Sequence, residues 1–488
     1  SVVGVNRWQS LFIGKNREKL ETAVFPSYYM AARWFGGKAR TIIRISITDT
    51  IPIANVANTK LLVTEVRYSS GENENYQLPV TFVPLANLQP SDEYFSKQVI
   101  ARITVGDEEG YLCDATFTPA FLQELYSVAT AKGSWQGKQG VVNGSSAPKL
   151  AAFLANVADA APELMGAEQS NTSIRYADNL CLKLYRRIES GVSPEVEMCS
   201  ALSERTSFTN LPTYLGTVNY SRSRSSRCSI GILQTYVPNQ GDAWQLSLDQ
   251  ARRYFDAIHS ALPNALAMPA LPALSGNPAP LPELMQELIG GHYLGMIEKL
   301  AERTAEMHLA LATLESDPAF APEAFTSLYQ RSIYQAMCEQ VKRSVILIRE
   351  LLPSLNGEQQ TLATQFVQKQ KQILQQFDPI RTEKIEALKI RIHGDYHLGQ
   401  VLFTGKDFTI IDFEGEPARP LSERKIKRSV FRDVAGMLRS FDYAAFSALR
   451  QIAPTLRPEE LPMLDAWAER WSFYVGQHFI NRYFEATN

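Results

Sequence analysis

The stretch Arg391-Ile-His-Gly-Asp-Tyr-His-Leu-Gly-Gln-Val-Leu402, with its sequel Ile410-Ile-Asp-Phe-Glu-Gly-Glu416, decides the fold of this 488-residue chain. Asp395 follows a His-Gly pair, and Gln400 comes five residues later. Asp412 lies just beyond a short apolar run that has the pattern of a strand. A loop followed by such a strand can bring two acids and one amide to the same point.

Phosphoryl transfer to a hydroxyl group requires these three side chains. One carboxylate accepts or orients the hydroxyl proton, a second holds Mg²⁺ on the phosphates, and a neutral oxygen completes the metal ligands. The spacing is that of a kinase catalytic loop, with Gln in the usual position of Asn. The stretch therefore predicts an ATP-dependent kinase in which Asp395 is catalytic and Gln400 and Asp412 bind Mg²⁺.

Composition and charge restrict the other possibilities. The chain is 45% hydrophobic and 20% charged, which is typical of a globular protein, and its length favours two or three domains. A net charge of −2 predicts no nucleic-acid partner and no anionic membrane. The five cysteines lack paired spacing and read as reduced thiols, and no long apolar run or signal peptide is present. We expect a cytoplasmic protein.

Residues of about 150–240 carry the pattern expected of a nucleotide-binding lobe. In the predicted strand Leu180–Tyr185, Lys183 lies on a largely apolar face, so it requires an anion, and the phosphates of ATP would supply one. A carboxylate from the next helix should hold Lys183, and the spacing leaves Glu195 and Glu197 both open. A small polar turn at residues 170–173 has hydroxyl, amide and backbone N–H groups that suit phosphate. It comprises Ser170, Asn171, Thr172 and Ser173.

The apolar run Ile230–Val237 reads as the strand and hinge that link two lobes. Adenine would bond there to backbone groups of Gln234, Tyr236 and Val237. Asp242, just beyond, would meet the ribose or cap the next helix. The glycine-rich piece Gly133–Gly140 reads as a flexible connection rather than a nucleotide-binding loop, because the pattern shows neither a strand before it nor a helix after it at the required spacing.

Three strings give the chain a closer resemblance. His-Gly-Asp-x-His resembles aminoglycoside and choline phosphotransferases, and HGDYHLGQVL, IDFEGEP and FRDVAGMLRSFDYAA resemble maltokinases. The string Arg33-Trp-Phe-Gly-Gly-Lys38 resembles the maltokinase cap signature, for which we expect a structural role. The resemblance implies an α+β, bilobal, protein-kinase-like fold with an extra N-terminal α/β cap. The expected domains are a cap at 1–110, a nucleotide-binding lobe with an intermediate subdomain at 111–240, and a helical lobe at 241–488.

The resemblance also implies an activity and further residue roles. Maltokinases use ATP and Mg²⁺ to phosphorylate the anomeric hydroxyl of maltose, which feeds α-glucan and glycogen synthesis from trehalose. By resemblance Glu197 holds Lys183 and Asp433 braces the catalytic loop. We further expect His393 and His308 to be structural. His397 would order the loop or contact the sugar, Glu414 would bind a second metal or the sugar, and Arg439 would contact the sugar.

Two alternatives follow from the same residues. A kinase of another sugar or amino sugar, such as glucosamine, would share every catalytic residue. Maltokinases continue beyond the point that matches Phe479–Ala486 into further helices, whereas this chain ends at Asn488, so a catalytically incomplete module is the other alternative. A start at Ser1 rather than Met fits the kinase part of a trehalose synthase–maltokinase fusion, and trehalose synthase is thus a possible partner.

Overall fold

The computed structural model describes residues 3–87, 98–154, 161–166, 170–223, 226–261, 267–272 and 280–488. The proline-rich stretch 262–283, whose composition predicts a linker, lies partly outside these residues, and so does the end of the run 164–169, whose pattern predicts a strand. Within the described ranges, no helix is long and apolar enough to cross a membrane.

The N-terminal part of the chain forms a mixed seven-stranded sheet, here called the first sheet. Only its outermost strand pairs in parallel, Val3–Val5 with Val99–Val105. Residues 8–31 carry helical sequence signal and are helical apart from Ile13, which is extended and is followed by Gly14 with φ +57°. Six strands follow one another in the spatial order Val3–Val5, Val99–Val105, Glu108–Asp114, Glu74–Pro84, Thr59–Tyr68 and Ile42–Pro52, and the seventh, Arg187–Ile188, pairs with Glu74–Pro84. The helical segments are Trp8–Phe12, Gly14–Lys19, Leu20–Val24 and Phe25–Ala31.

A second, fully antiparallel sheet of seven strands follows. The Lys183 strand, Leu180–Tyr185, lies inside this sheet, and all six of its side chains are buried. The strands follow one another in the spatial order Ser134–Gln136, Val141–Ser146, Tyr214–Ser221, Arg227–Thr235, Leu180–Tyr185, Asn171–Tyr176 and Glu163–Met165. The α-helices described in this region are Pro119–Ala129, Leu150–Leu154 and Pro194–Arg205.

The structure corrects two expectations in the second sheet. Asn171, Thr172 and Ser173 belong to a strand rather than to a tight turn, because they pair in register with residues 183–185 of the Lys183 strand. The glycine-rich piece 133–140 is a β-hairpin rather than a flexible connection. Buried Asp49 fixes its turn by accepting hydrogen bonds from the N–H groups of residues 138–140 at 2.9–3.1 Å.

The Lys183 strand joins the two sheets. Two residues beyond its end, Arg187–Ile188 pairs antiparallel with Tyr76 and Asn75 of the first sheet. Buried Gln77 adds to this junction, because its Nε2 donates to the carbonyl oxygens of Tyr185 at 2.6 Å and Ile230 at 2.8 Å.

The C-terminal part is mainly helical and carries the largest apolar core. The spacing of Ile297, Leu300, Thr304, Met307 and Leu311 predicts one buried face of a helix, and this is confirmed, since all five are buried in the helix Gly291–Ala312. The remaining helices are Ala243–Ala261, Glu283–Ile289, Ser327–Leu351, Gly357–Gln368, Gln370–Gln375, Asp378–Thr382, Leu421–Arg424, Phe431–Ile452 and Leu461–Thr487. Two small antiparallel strand pairs accompany them, Glu323–Ala324 with Leu388–Lys389 and Val401–Phe403 with Phe408–Ile410.

Candidate active site

A buried carboxylate binds the backbone of the loop that carries Asp395. Asp433, near the start of the helix Phe431–Ile452, accepts hydrogen bonds from the N–H groups of His393 at 2.8 Å and Gly394 at 2.9 Å. Burial acts to raise the pKa of Asp433. The hydrogen bond with His308 and the electrostatic effect of that ring act in the opposite direction, and the pKa of Asp433 is lowered from its usual value. The expected bracing by Asp433 is confirmed.

Two histidines have the structural roles expected of them. His393 Nε2 lies 2.9 Å from the carbonyl oxygen of Ile411, which ties the catalytic loop to the segment before Asp412. His308 is buried, with its ring nitrogens 2.9 Å from Tyr483 Oη and 3.2 Å from Asp433 Oδ2.

Asp395 lines an open cavity of about 760 Å³. Burial raises the pKa of its carboxyl group, and burial lowers the pKa of nearby His397. His397 Nδ1 accepts a hydrogen bond from the N–H of Gly399 at 3.1 Å, so this ring orders the loop and also lines the cavity. The cavity is lined by Asp242, Trp244, Gly394, Asp395, Tyr396, His397, Gly399, Glu416, Arg432, Gly436, Arg439, Ser440 and Tyr443.

Gln400 and Asp412 are in direct contact. Gln400 Nε2 donates to Asp412 Oδ2 at 2.9 Å, which leaves the amide oxygen as the other polar end of Gln400. Asp412 has φ +65°, a strained backbone for a residue other than glycine, and such strain is often found at functional sites.

Lys183 contacts three carboxylates, of which Asp412 and Glu414 come from the C-terminal part of the chain. Its Nζ lies 2.5 Å from Asp412, 2.7 Å from Glu414 and 3.1 Å from Glu195. Burial raises the pKa of Glu195, and the ammonium of Lys183 opposes this rise. Burial also acts to raise the pKa of Asp412, but the charge of Lys183 and its hydrogen bond have the larger effect, and the pKa of Asp412 is lowered.

The expectation that Glu197 holds Lys183 is wrong. Glu197 instead pairs with Arg391 at 3.2 Å and Lys425 at 2.6 Å. Residues two apart on a helix point about 200° away from each other, so only one of the two glutamates can face the Lys183 strand. That residue is Glu195, which also accepts a hydrogen bond from Tyr185 Oη at 2.7 Å.

The oxygen atoms around Lys183 suit a hard cation. One carboxylate oxygen each from Glu195, Asp412 and Glu414 can be chosen so that all lie within 4.8 Å of one another. Carboxylate and amide oxygens are the ligands that Mg²⁺ takes in nucleotide sites, and Gln400 adds an amide beside Asp412. The residues present therefore fit the expected metal.

The residues expected to contact phosphate have different surroundings. Asn171 Nδ2 donates to Glu414 Oε1 at 2.8 Å, next to Ser170 and close to Lys183. Thr172 Oγ1 accepts a hydrogen bond from Arg186, and the side chain of Ser173 is buried in the sheet.

The expected hinge follows the strand Arg227–Thr235. Gln234 pairs with Cys181 inside the sheet, the N–H of Tyr236 donates to the carbonyl oxygen of Asn179 at 2.8 Å, and the carbonyl oxygen of Val237 accepts from Asn239. Asp242 caps the helix Ala243–Ala261, since its Oδ1 accepts from the N–H of Gln245 at 2.8 Å, and it also lines the Asp395 cavity.

Two acids of the Asp-Phe-Glu-Gly-Glu segment point to different places. Glu414 contacts Lys183 and Asn171, whereas Glu416 lines the Asp395 cavity. Arg439 also lines this cavity, where its Nη2 donates to Tyr443 Oη at 2.7 Å. Glu416 and Tyr443 were not singled out from the sequence, although both lie within the strings that carry the maltokinase resemblance.

Comparisons with known proteins agree with this architecture. Residues 28–117 match the family model of the maltokinase N-terminal cap domain. A glucosamine kinase from Streptacidiphilus jiangxiensis is 24% identical over 280 residues, which cover 57% of this chain and 53% of that protein. One from Mycolicibacterium smegmatis is 24% identical over 300 residues, which cover 59% and 60% respectively. The matches thus span little more than half the length of these relatives.

The fold has solved counterparts. A crystal structure of glucosamine kinase matches with a TM-score of 0.57 and 16% identity, over 93% of this chain and 85% of that one. A structure of glucosamine kinase in complex with glucosamine, ADP and inorganic phosphate matches with a TM-score of 0.53. The predicted fold class is confirmed, because residues 28–117 match a maltokinase N-terminal cap domain and the chain shares the fold of the solved glucosamine kinases.

Proposed function

We propose that this chain transfers the terminal phosphoryl group of ATP to a sugar hydroxyl. The observation that carries the proposal is the pairing of two sites. Asp395 lies in the wall of an open cavity, and the cluster of Lys183, Gln400 and Asp412 is near enough for the charge of Asp412 to raise the pKa of Asp395. An acceptor site next to a lysine and a group of oxygen atoms that fits a metal is what phosphoryl transfer requires.

The chain's own residues divide the work. Asp395 accepts the proton of the attacking hydroxyl, and the raised pKa of its carboxyl group makes it a stronger base than an exposed aspartate. Lys183 neutralises negative charge on the phosphates, and its ion pair with Glu195 fixes the position of the ammonium group. Gln400 and Asp412 would hold Mg²⁺, which when bound offsets the charge that develops on the phosphates.

Maltose is our first candidate substrate, phosphorylated at its anomeric hydroxyl. The maltokinase cap at residues 28–117 supports it, and so does a cavity within the range of about 300–1,000 Å³ common for small-molecule sites. Trp244 and Tyr443 offer aromatic surfaces for sugar rings, and Arg439 and Glu416 offer hydrogen bonds. By the maltokinase resemblance, the product would feed α-glucan synthesis in the cytoplasm, with trehalose synthase as the source of maltose.

Glucosamine is the second candidate. The curated relatives are named glucosamine kinases, and the carboxylates of Asp242 and Glu416 in the cavity would suit an ammonium group. A cationic substrate would depend on these charges, whereas a neutral disaccharide would depend more on the aromatic residues.

The two candidates are separated by a substrate panel with a matched pair of variants. We expect the kcat/KM of the wild-type protein with ATP and Mg²⁺ to be highest for maltose. Glu416→Gln, which keeps shape and hydrogen bonding, should then lower kcat/KM for maltose less than Trp244→Ala does. Preference for glucosamine, with Glu416→Gln the more damaging variant, would replace maltose with an amino sugar.

A further inference from the structure

One buried arginine, Arg186, connects the cap to the expected nucleotide site. It directly follows the Lys183 strand, and its side chain is only 2% exposed. Its planar guanidinium has donors in fixed directions, so it can bind separate partners on different sides at the same time.

On the cap side the guanidinium is held by a buried ion pair. Its Nη1 lies 3.0 Å from Asp114 Oδ2, its Nη2 donates to Thr116 Oγ1 at 2.9 Å, and it lies 5.1 Å from the ring centre of Trp34 in the cap signature. Asp114 is fully buried and also accepts from Tyr28 Oη at 3.1 Å. Because separating a buried ion pair is costly, the cap determines where Arg186 lies.

On the other side Arg186 reaches the strand that leads to the phosphates. Its Nε donates to Thr172 Oγ1 at 2.8 Å. The preceding residue, Asn171, contacts Glu414 at 2.8 Å, and Glu414 contacts Lys183 at 2.7 Å. A displacement of Thr172 would therefore be passed on to the group of side chains that surrounds Lys183.

We propose that Arg186 is a positioning residue, through which the cap holds the strand Asn171–Tyr176 ready to receive the phosphates of a nucleotide. This role rests on the proposed function, because it requires the phosphates to bind between that strand and Lys183. It gives the cap signature a function through Trp34, which packs against the guanidinium.

Two variants break the connection in different ways. Thr172→Val removes the hydroxyl that accepts from Arg186 but leaves the ion pair with Asp114 intact. Arg186→Met combined with Asp114→Asn removes both charges, so that neither is left buried and unpaired. The matched control is Glu21→Gln, since Glu21 is another buried cap carboxylate, bound by Arg17 and Arg44.

The measurement is calorimetric titration of each protein with ADP and Mg²⁺, without sugar, together with amide hydrogen exchange of the nucleotide-free proteins. We expect Thr172→Val and the double variant to bind ADP about tenfold more weakly, the usual size of one charge-assisted hydrogen bond. Exchange at residues 171–173 should become faster in both. Glu21→Gln should match the wild type in both measurements, whatever it does to the melting temperature.

The outcomes separate this role from the function on which it rests. ADP binding by the wild type with unchanged affinity in the folded Thr172→Val protein would overturn the positioning role alone. Weaker binding with unchanged exchange would also overturn it, because Thr172 would then be acting by direct contact with phosphate. A wild-type protein that does not bind ADP would overturn the proposed function and this role together.

Discussion

Burial is the main influence on the Asp395 carboxyl group. It raises the pKa of Asp395, while the neighbouring rings of His397 and His393 act in the opposite direction. A low-dielectric environment disfavours the charged form of a carboxyl group, so the Asp395 carboxylate forms at a higher pH than that of an exposed aspartate.

The first prediction concerns this titration. We expect kcat/KM for the sugar to fall as the pH is lowered, with a midpoint above about 3.9, the ordinary aspartate value, because only the carboxylate accepts a proton. A pH–rate profile measures this directly. Asp442→Asn, an exposed change on the helix that carries Arg439, should leave the profile unchanged. A midpoint at or below the ordinary aspartate value would contradict the assignment.

The second prediction separates the two glutamates near Lys183. Glu195→Ala should lower kcat/KM for ATP by about 10²-fold, the size typical of losing one preorganised charge-stabilising contact. Glu197→Ala should leave that constant close to the wild-type value but lower the melting temperature, because it leaves Arg391 buried without this partner. Steady-state kinetics with ATP varied and thermal unfolding measure the two effects. Equal losses of kcat/KM would contradict the assignment of Glu195.

The residues near Asp395 were easier to predict than those near Lys183. Gln400 and Asp412 are close to Asp395 in the chain, so a short motif specifies their meeting. Choosing between Glu195 and Glu197 requires the rotation of a helix relative to a strand. That rotation is set by packing with residues that are distant in sequence, so it cannot be predicted from the spacing of the two glutamates.

At the scale of single elements, the helix Phe431–Ile452 supports the catalytic loop by close contact as well as by hydrogen bonds. A Cβ added at Gly436 would lie 2.5 Å from the backbone oxygen of Tyr396. The helix therefore needs glycine at this position, where the loop that carries Asp395 crosses it.

The third prediction uses this contact. Gly436→Ala should lower kcat and destabilise the fold by about 1–3 kcal/mol, the usual cost of overpacking, because the loop must move away. Gly295→Ala is the matched control, since it lies in the helix Gly291–Ala312 with no atom near its added Cβ. It should raise stability by up to about 1 kcal/mol through helix propensity. Urea unfolding and kinetics measure both, and a fully active Gly436→Ala protein would contradict the contact.

Elements whose ends depend on distant partners were the ones predicted wrongly. The hairpin at 134–146 reads as a flexible glycine-rich piece because Asp49, which fixes its turn, lies about 90 residues earlier. The strand that begins at Asn171 looks polar and turn-like alone, but pairing with the Lys183 strand makes it extended. Periodic apolar patterns, such as that of the helix Gly291–Ala312, were predicted correctly because they are local.

At the scale of the whole molecule, the cap and the second sheet are joined by hydrogen bonds in the protein interior. Gln77 of the first sheet spans two strands of the second through Tyr185 and Ile230. The strand pairing of Arg187–Ile188 with the first sheet lies beside it. The two sheets should therefore respond together when this junction is weakened.

The fourth prediction tests this junction. Gln77→Leu should destabilise the protein by about 2–4 kcal/mol, because it leaves two buried carbonyl oxygens without their donor. Gln123→Leu, an exposed change on the helix Pro119–Ala129, should stay within about 0.5 kcal/mol of the wild type. Urea unfolding compares the two proteins. Equal stability of both variants would show that the junction contributes little.

The way in which the regions of the chain join could not be predicted. The maltokinase-like strings led us to expect a cap, a nucleotide-binding lobe and a helical lobe in sequence, but they did not indicate which residues connect these regions. The junction depends on Gln77 and Arg186, which no motif marks, because their partners lie as far as 153 residues away. The separation of Glu414 from Glu416, which point to different sites, is likewise visible only in the folded chain.

The central claim is that Asp395 enables phosphoryl transfer from ATP to a sugar. Its most direct test is ADP release with ATP, Mg²⁺ and maltose, by the wild type and by Asp395→Asn, with ADP binding measured in both. We expect maltose-dependent turnover that falls by about 10²–10⁴-fold in Asp395→Asn, while ADP still binds, because only the general base is lost. Undiminished turnover in Asp395→Asn, or ADP binding without turnover on maltose or any other sugar, would contradict the account.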